Sequence, residues 1–163
     1  MNKYEIYEYL KQNNIWHEIE KHKAVYNMEG LSQDEIAYPG YNAKNLFVRD
    51  DKKRNYYLIT VKCNKTKVDL KKFSNTNVTG RLSFASENDL KGIMDLIPGS
   101  VTPLGLLNDK EHKVKFYIDK DFMNDKRIIG IHPNDNTETV WLKIEDLINI
   151  IKEYGNDVFI VEI

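Results

Sequence analysis

The longest helical stripe in the chain is Ile144, Leu147, Ile148, Ile151 and Tyr154, spaced to share one face of an α-helix, with Gly155 placed to end it. A second stripe lies near the start: Asn2 is placed to cap a helix, Glu5 to complete a capping box, and Tyr4, Tyr7 and Leu10 recur at helical spacing before Asn13-Asn14. Ser86 with Asp89 repeats that capping pattern ahead of Leu90 and Met94, and Pro98-Gly99 is expected to break the helix. Shorter helices are expected over 68–73 and over 31–37, the latter capped by Ser32 and stopped by Pro39-Gly40.

Between these stripes the pattern changes to β. Residues 16–20 alternate, and 45–48 with 56–61 are apolar and β-favouring around a polar run at 50–55, which predicts a hairpin. Further strands are expected at 82–85, 104–107, 114–118, 128–131, 139–142 and 158–161, with a charged loop at 108–113 and a second loop at 132–137. Many strands with helices scattered among them predict an α+β domain with a mixed, largely antiparallel sheet or open barrel and surrounding helices. No regular βαβα rhythm supports a doubly wound sheet.

The length of 163 residues suits a single domain over 1–163 with a real core. No apolar run is long enough to span a bilayer, and the start Met1-Asn2-Lys3-Tyr4-Glu5 has no apolar signal core, so a cytoplasmic protein with no membrane partner is expected. Cys63 is the single cysteine, which rules out an internal disulfide and a Cys-rich zinc site. The net charge of −1 argues against a strong grip on long nucleic acid, so no DNA partner is expected; it still allows contact with one end of an RNA. Lysines 62, 65, 67, 71 and 72 are interleaved with polar residues and read as a solvated face.

No GxSxG elbow, Walker loop, GxGxxG or HExxH is present, so neither a metal nor another cofactor is expected. Cys63 reads as a packing or edge residue. A hydrolase of this sequence has to work by positioning and electrostatics. Three segments could supply that. Lys44 opens an apolar strand beside Asn45, where its ammonium can hold a phosphate or developing oxyanion, or simply be a surface lysine. Gly99-Ser100-Val101-Thr102-Pro103, stiffened by two prolines, can present backbone N–H donors to a carbonyl oxygen, or form an ordinary Pro/Gly turn. His132-Pro133 ends one strand and leads to Asn136-Thr137; its imidazole can donate, accept or move a proton near neutral pH, or stand exposed. His22, at the end of an early strand, is placed to border a cleft.

Taken together, Lys44 to Asp50, Arg81-Leu82-Ser83-Phe84, Gly99 to Pro103, Asn108-Asp109 and His132-Pro133 with Asn136 to Thr139 resemble, in order and spacing, the YbaK/prolyl-tRNA synthetase-associated domain family. The similarity runs from about His22 to the end, and as a set these motifs are specific although none is alone. Lys44-Asn45-Leu46-Phe47 and the PGSVTP loop are most similar to the alanine-specific ProXp-ala (PrdX) group. The resemblance implies a trans-editing deacylase that removes a wrong amino acid from tRNA, most simply Ala-tRNA(Pro), without metal or enzyme nucleophile and with help from the terminal ribose hydroxyl. Cys-tRNA(Pro) hydrolysis and a non-catalytic sensing module are the alternatives. Mischarged tRNA is the implied partner, with prolyl-tRNA synthetase as a second.

Carried over residue by residue, Lys44 positions the tRNA 3′ end, Gly99 binds the aminoacyl carbonyl, and His132 completes the catalytic set. Substrate contacts fall to Asn45, His22, Ser100, Val101, Thr102, Pro103 and Asn136. The chain departs from the family pattern at Lys23 after His22, where proline is common. It departs again at Tyr41-Asn42-Ala43, where Gly-His-Cys is common, and at Pro133-Asn134-Asp135, where Pro-Leu-Thr is common.

Overall fold

In the computed structural model, residues 1–22, 37–65 and 67–163 are described. The helix expected over 31–37 lies outside them, apart from Ala37. Helix α1 (Lys3–Gln12) starts as its capping box dictates: the Asn2 side chain accepts from Glu5 N–H, and the Glu5 carboxylate accepts from Asn2 N–H. Its buried face is Ile6 and Leu10, with Tyr7 half-buried; Tyr4 points to solvent at 71% exposure, so the tyrosine at the head of the expected stripe does not join the core.

The remaining elements follow as β1 (His17–Lys21), β2 (Ala43–Asp50), β3 (Tyr56–Lys62), α2 (Leu70–Asn77), β4 (Leu82–Phe84) and α3 (Glu87–Met94). After a 3-10 helix at Pro103–Asn108 come β5 (Val114–Asp119), a 3-10 turn at Lys120–Met123, β6 (Ile128–Ile131), β7 (Glu138–Lys143), α4 (Ile144–Tyr154) and β8 (Val158–Val161). Three expectations are corrected. Residues 104–107 are 3-10 helix because Pro103 presets the first turn and the Thr102 hydroxyl caps it through Leu104 N–H. Helix α3 stops at Met94, where Asp95 turns left-handed, well before Pro98. Helix α2 begins two residues later than the apolar pattern suggests, capped by Asp69.

Among the described residues the strands form two sheets, α+β in class, with no closed barrel. One has the order β1-β7-β6 and is antiparallel throughout; the other has the order β4-β2-β3-β5-β8, antiparallel as far as β3 and parallel from β3 to β8. They meet where Asn42 bridges Gly130 and Gly130 N–H donates to the Tyr41 carbonyl. The main core joins Ala43, Phe47, Leu58 and Phe116 of the large sheet to Ile129, Val140 and Leu142 of the small one, closed by the Leu147–Ile151 stripe of α4. On the other face of the large sheet, Val48, Ile59, Val61 and Tyr117 pack under Phe73 of α2.

Candidate active site

The outer edge of β2, opposite β3, is only partly paired. Even-numbered residues of β2 direct their backbone at β3, as Cys63 N–H to Asn42 O and Asp50 N–H to Asn55 O show. Odd-numbered residues therefore face the outer edge. That edge is covered at one end by Gly130, which binds Tyr41 O, and at the other by β4 and Ala85 N–H, which binds Phe47 O. Asn45 lies in the interval, where no strand among the described residues pairs its outward backbone.

The Asn45 side chain shares the face of Ala43 and Phe47 and spans two elements. Its Oδ1 accepts from the Thr60 hydroxyl at 2.5 Å, and its Nδ2 donates to Val101 O at 3.3 Å. The strand pleat starts Lys44 on the opposite face, with Leu46 and Val48. Lys44 is half-buried, and its ammonium has no hydrogen-bond or ion-pair partner among the described residues.

Opposite Asn45 stands the Gly99–Pro103 loop. Ser100 N–H donates to Ile97 O at 3.1 Å, with Pro98 and Gly99 at the central positions and φ +89° at Gly99, as a type II turn requires. Several of the loop's donors are already used: Ser100 N–H by Ile97, Leu104 N–H by the Thr102 hydroxyl and Gly105 N–H by Thr102 O, while Pro103 has none. Among the described residues, the loop amides without a partner are those of Gly99, Val101 and Thr102. Thr102, fully buried, also donates its hydroxyl to His132 O at 2.6 Å, which fastens the loop to the end of β6.

His132 is buried, at 8% exposure, not a solvated loop residue. Its Nδ1 lies 3.2 Å from the Glu138 carbonyl. A carbonyl only accepts, so Nδ1 carries the proton and Nε2 is left as the acceptor. Burial pushes the imidazole below its ordinary value, and the neighbouring His22 ring adds to that effect, against the opposing pull of the Glu138 hydrogen bond. His22 sits 6.2 Å away between ring centroids, held by Nε2 to the Thr139 hydroxyl at 2.9 Å and by its N–H to Thr137 O.

Hydrogen bonds thus link Asn45 of β2 to Val101 and the adjoining Thr102 to His132 at the end of β6, and His22, fastened to Thr137 and Thr139, stands beside the His132 ring. Gly99, Ser100 and Pro103 shape the loop, with Ser100 buried, Asn136 lies half-buried in the His132 loop, and Lys44 stays outside these links. Thr60 and Thr139 hold Asn45 and His22 and were missed by the sequence reading; each is a threonine inside a strand, indistinguishable there from a β-former. Among the described residues no cluster of three His, Cys, Asp or Glu side chains is arranged to hold a metal ion.

The two-sheet α+β scaffold thus brings the Gly99–Pro103 loop and one buried histidine beside the open stretch of β2, an arrangement of the α+β class with fixed backbone amides and a single imidazole. A sequence model of the aminoacyl-tRNA editing domain matches residues 22–150. The chain is 36% identical over 154 residues to the prolyl-tRNA editing protein ProX of Acetoanaerobium sticklandii, covering 94% of this chain and 93% of that one. It is 32% identical over 147 residues to prolyl-tRNA synthetase associated domain-containing protein 1 of Mus musculus, covering 88% and 86%. The crystal structure of a proposed trans-editing enzyme for prolyl tRNA synthetase shares the fold, with a TM-score of 0.63 at 18% identity over 90% of this chain and 87% of that one. The chain belongs to the aminoacyl-tRNA editing domain family.

Proposed function

We propose that residues 1–163 act as one cytoplasmic editing domain, a trans-acting deacylase that hydrolyses the ester between a wrong amino acid and the 3′ end of tRNA, with Ala-tRNA(Pro) as substrate. The observation that carries this reading is the set of hydrogen bonds from Asn45 through the Gly99–Pro103 loop to His132, which fixes backbone donors and one neutral imidazole beside the open stretch of β2. Family membership and the printed function of the ProX relative support it.

In the reaction, a water oxygen attacks the ester carbonyl carbon, the bond to the ribose oxygen breaks, and that oxygen leaves with a proton, giving free amino acid and tRNA. The remaining loop amides of Gly99, Val101 and Thr102 stabilise the negative charge that builds on the carbonyl oxygen. The neutral His132 offers Nε2 to a ribose hydroxyl or the attacking water. Lys44 and Asn45 leave opposite faces of β2, so a tRNA end that touches both crosses the open edge of the strand, with the Lys44 ammonium on the phosphate side. Mischarged tRNA is the partner, and prolyl-tRNA synthetase the enzyme whose errors it clears. A synthetase pocket that admits proline discriminates against a residue a methylene or two smaller by only about 10- to 200-fold, which is why a second site that excludes proline by size is useful.

The test is release of amino acid from Ala-tRNA(Pro), Cys-tRNA(Pro), Pro-tRNA(Pro) and Ala-tRNA(Ala). Turnover of Ala-tRNA(Pro) alone is the expected result. Preference for Cys-tRNA(Pro) would reassign the substrate, and binding without turnover on all four would make the chain a sensing module.

A further inference from the structure

The His132 loop is tied down from outside the segment that matches the family model. Helix α1 precedes residue 22, where that match begins, yet four of its contacts or those of its leading residue land on 134–138. Tyr7 donates its hydroxyl to the Glu138 carboxylate; Lys3 lies 3.7 Å from the same carboxylate and 3.5 Å from that of Asp135; and Asn134 donates to Met1 O at 2.8 Å. Asp135 in turn accepts from Thr137 N–H at 2.7 Å and from its hydroxyl. Glu138 is the residue whose carbonyl accepts from His132 Nδ1. Its side chain and its backbone therefore couple two different groups: the carboxylate is held by α1, and the carbonyl holds the imidazole.

We propose that Tyr7 and Lys3 are positioning residues for His132, acting through Glu138 to set the ring's tautomer and its orientation. A carboxylate as buried as that of Glu138, 9% exposed at the side chain, needs these partners to remain where it is. Without them it turns toward water and carries the 135–138 backbone with it, and the carbonyl leaves Nδ1. The burden of the proposal is geometric, since an error of about an ångström in a group that orders the reacting atoms can cost about 100-fold in rate. The charged and titratable groups facing His132 are His22 after β1, Asp135 in its own loop, Glu138 on β7, and Lys3 and Tyr7 on α1 through Glu138 and Asp135. Removing Lys3 or the Tyr7 hydroxyl consequently changes the field at the ring as well as its position.

This inference rests on the deacylase reading, so its test has a readout independent of activity. Tyr7→Phe, Lys3→Met and the control Tyr4→Phe, on the exposed side of the same helix, are compared with wild type. One measurement is kcat and KM on Ala-tRNA(Pro); the other is long-range 1H–15N NMR of the His132 ring across pH. The expected result is a fall in kcat of about 10-fold for Tyr7→Phe with KM within about twofold, together with a ring that loses its Nδ1–H preference and titrates at a shifted pH. Tyr4→Phe should change neither. Ring signals for Tyr7→Phe and Lys3→Met that superimpose on wild type would overturn the proposal, whether or not the protein deacylates. An inactive wild type with shifted ring signals in the variants would sink the deacylase reading and leave the coupling standing. Tyr7→Phe keeps the packed ring, so it carries the test if Lys3→Met does not fold.

Discussion

Removing the Asn45 amide strands two groups at once: the Thr60 hydroxyl, fully buried, loses its acceptor, and the Val101 carbonyl loses a donor. Asn45→Ala should therefore cost about 1–3 kcal/mol. At about 2–4 °C per kcal/mol for a chain of this size, that is a visible drop in a thermal melt, accompanied by lost deacylation. Lys44→Ala should behave differently. Its ammonium has no partner among the described residues, so the melt should stay where it is while deacylation falls by at least about 100-fold. Retained activity would remove Lys44 from the site. His132 gives a pH prediction. Its folded value lies below the ordinary histidine value of 6.5, so below about pH 6.5 the unfolded chain binds a proton that the folded chain refuses. Its contribution to stability is thus intact above that pH and is lost as pH falls below it, and His132→Gln should flatten that part of the stability profile in denaturant titrations. Deacylation should hold steady as pH drops through 6.5 and decline only below it.

At the scale of elements, the 98–105 segment is a rigid piece fastened at both ends. The Thr102 hydroxyl both caps the 3-10 helix and holds the end of β6, so Thr102→Val should cost about 1–2 kcal/mol and loosen His132 from the loop. The expected signature is reduced kcat with a lower melting temperature. Gly99 adopts φ +89°, so Gly99→Ala should destabilise by about 1 kcal/mol or more and displace the unpaired amides of the loop. Hydrogen exchange at Val101 and Thr102 would report the displacement directly. Both effects were only partly legible in the sequence. Pro98-Gly99 marks the turn, but residues 104–107 are as apolar as any buried strand, and only Thr102 and Pro103 ahead of them hint that the chain winds instead of extending. The capping boxes at Asn2 and Ser86 were readable because their chemistry is local.

At the scale of the molecule, everything turns on how the two sheets meet. Gly130 carries no Cβ, and one added there would lie 2.6–2.9 Å from three atoms of the Trp141 ring. Gly130→Ala should cost about 1–3 kcal/mol by overpacking and should pry the small sheet from Asn42, which near-UV circular dichroism of the fully buried Trp141 and a melt would both register. The sequence by itself determined α1, α3, α4 and nearly all the strands, because capping, periodicity and turn chemistry act over a few residues. Only the tertiary structure decided that β3, β5 and β8 run parallel, that Lys44 and Asn45 leave opposite faces of one strand, and that His132 is buried with its Nδ1 committed to Glu138. It alone brought α1 onto the His132 loop, joining Tyr7 to Glu138 across 131 positions of sequence. Pairing direction, strand edges and the desolvation of a side chain arise from contacts between distant segments, and no local pattern encodes which distant segment will be the neighbour.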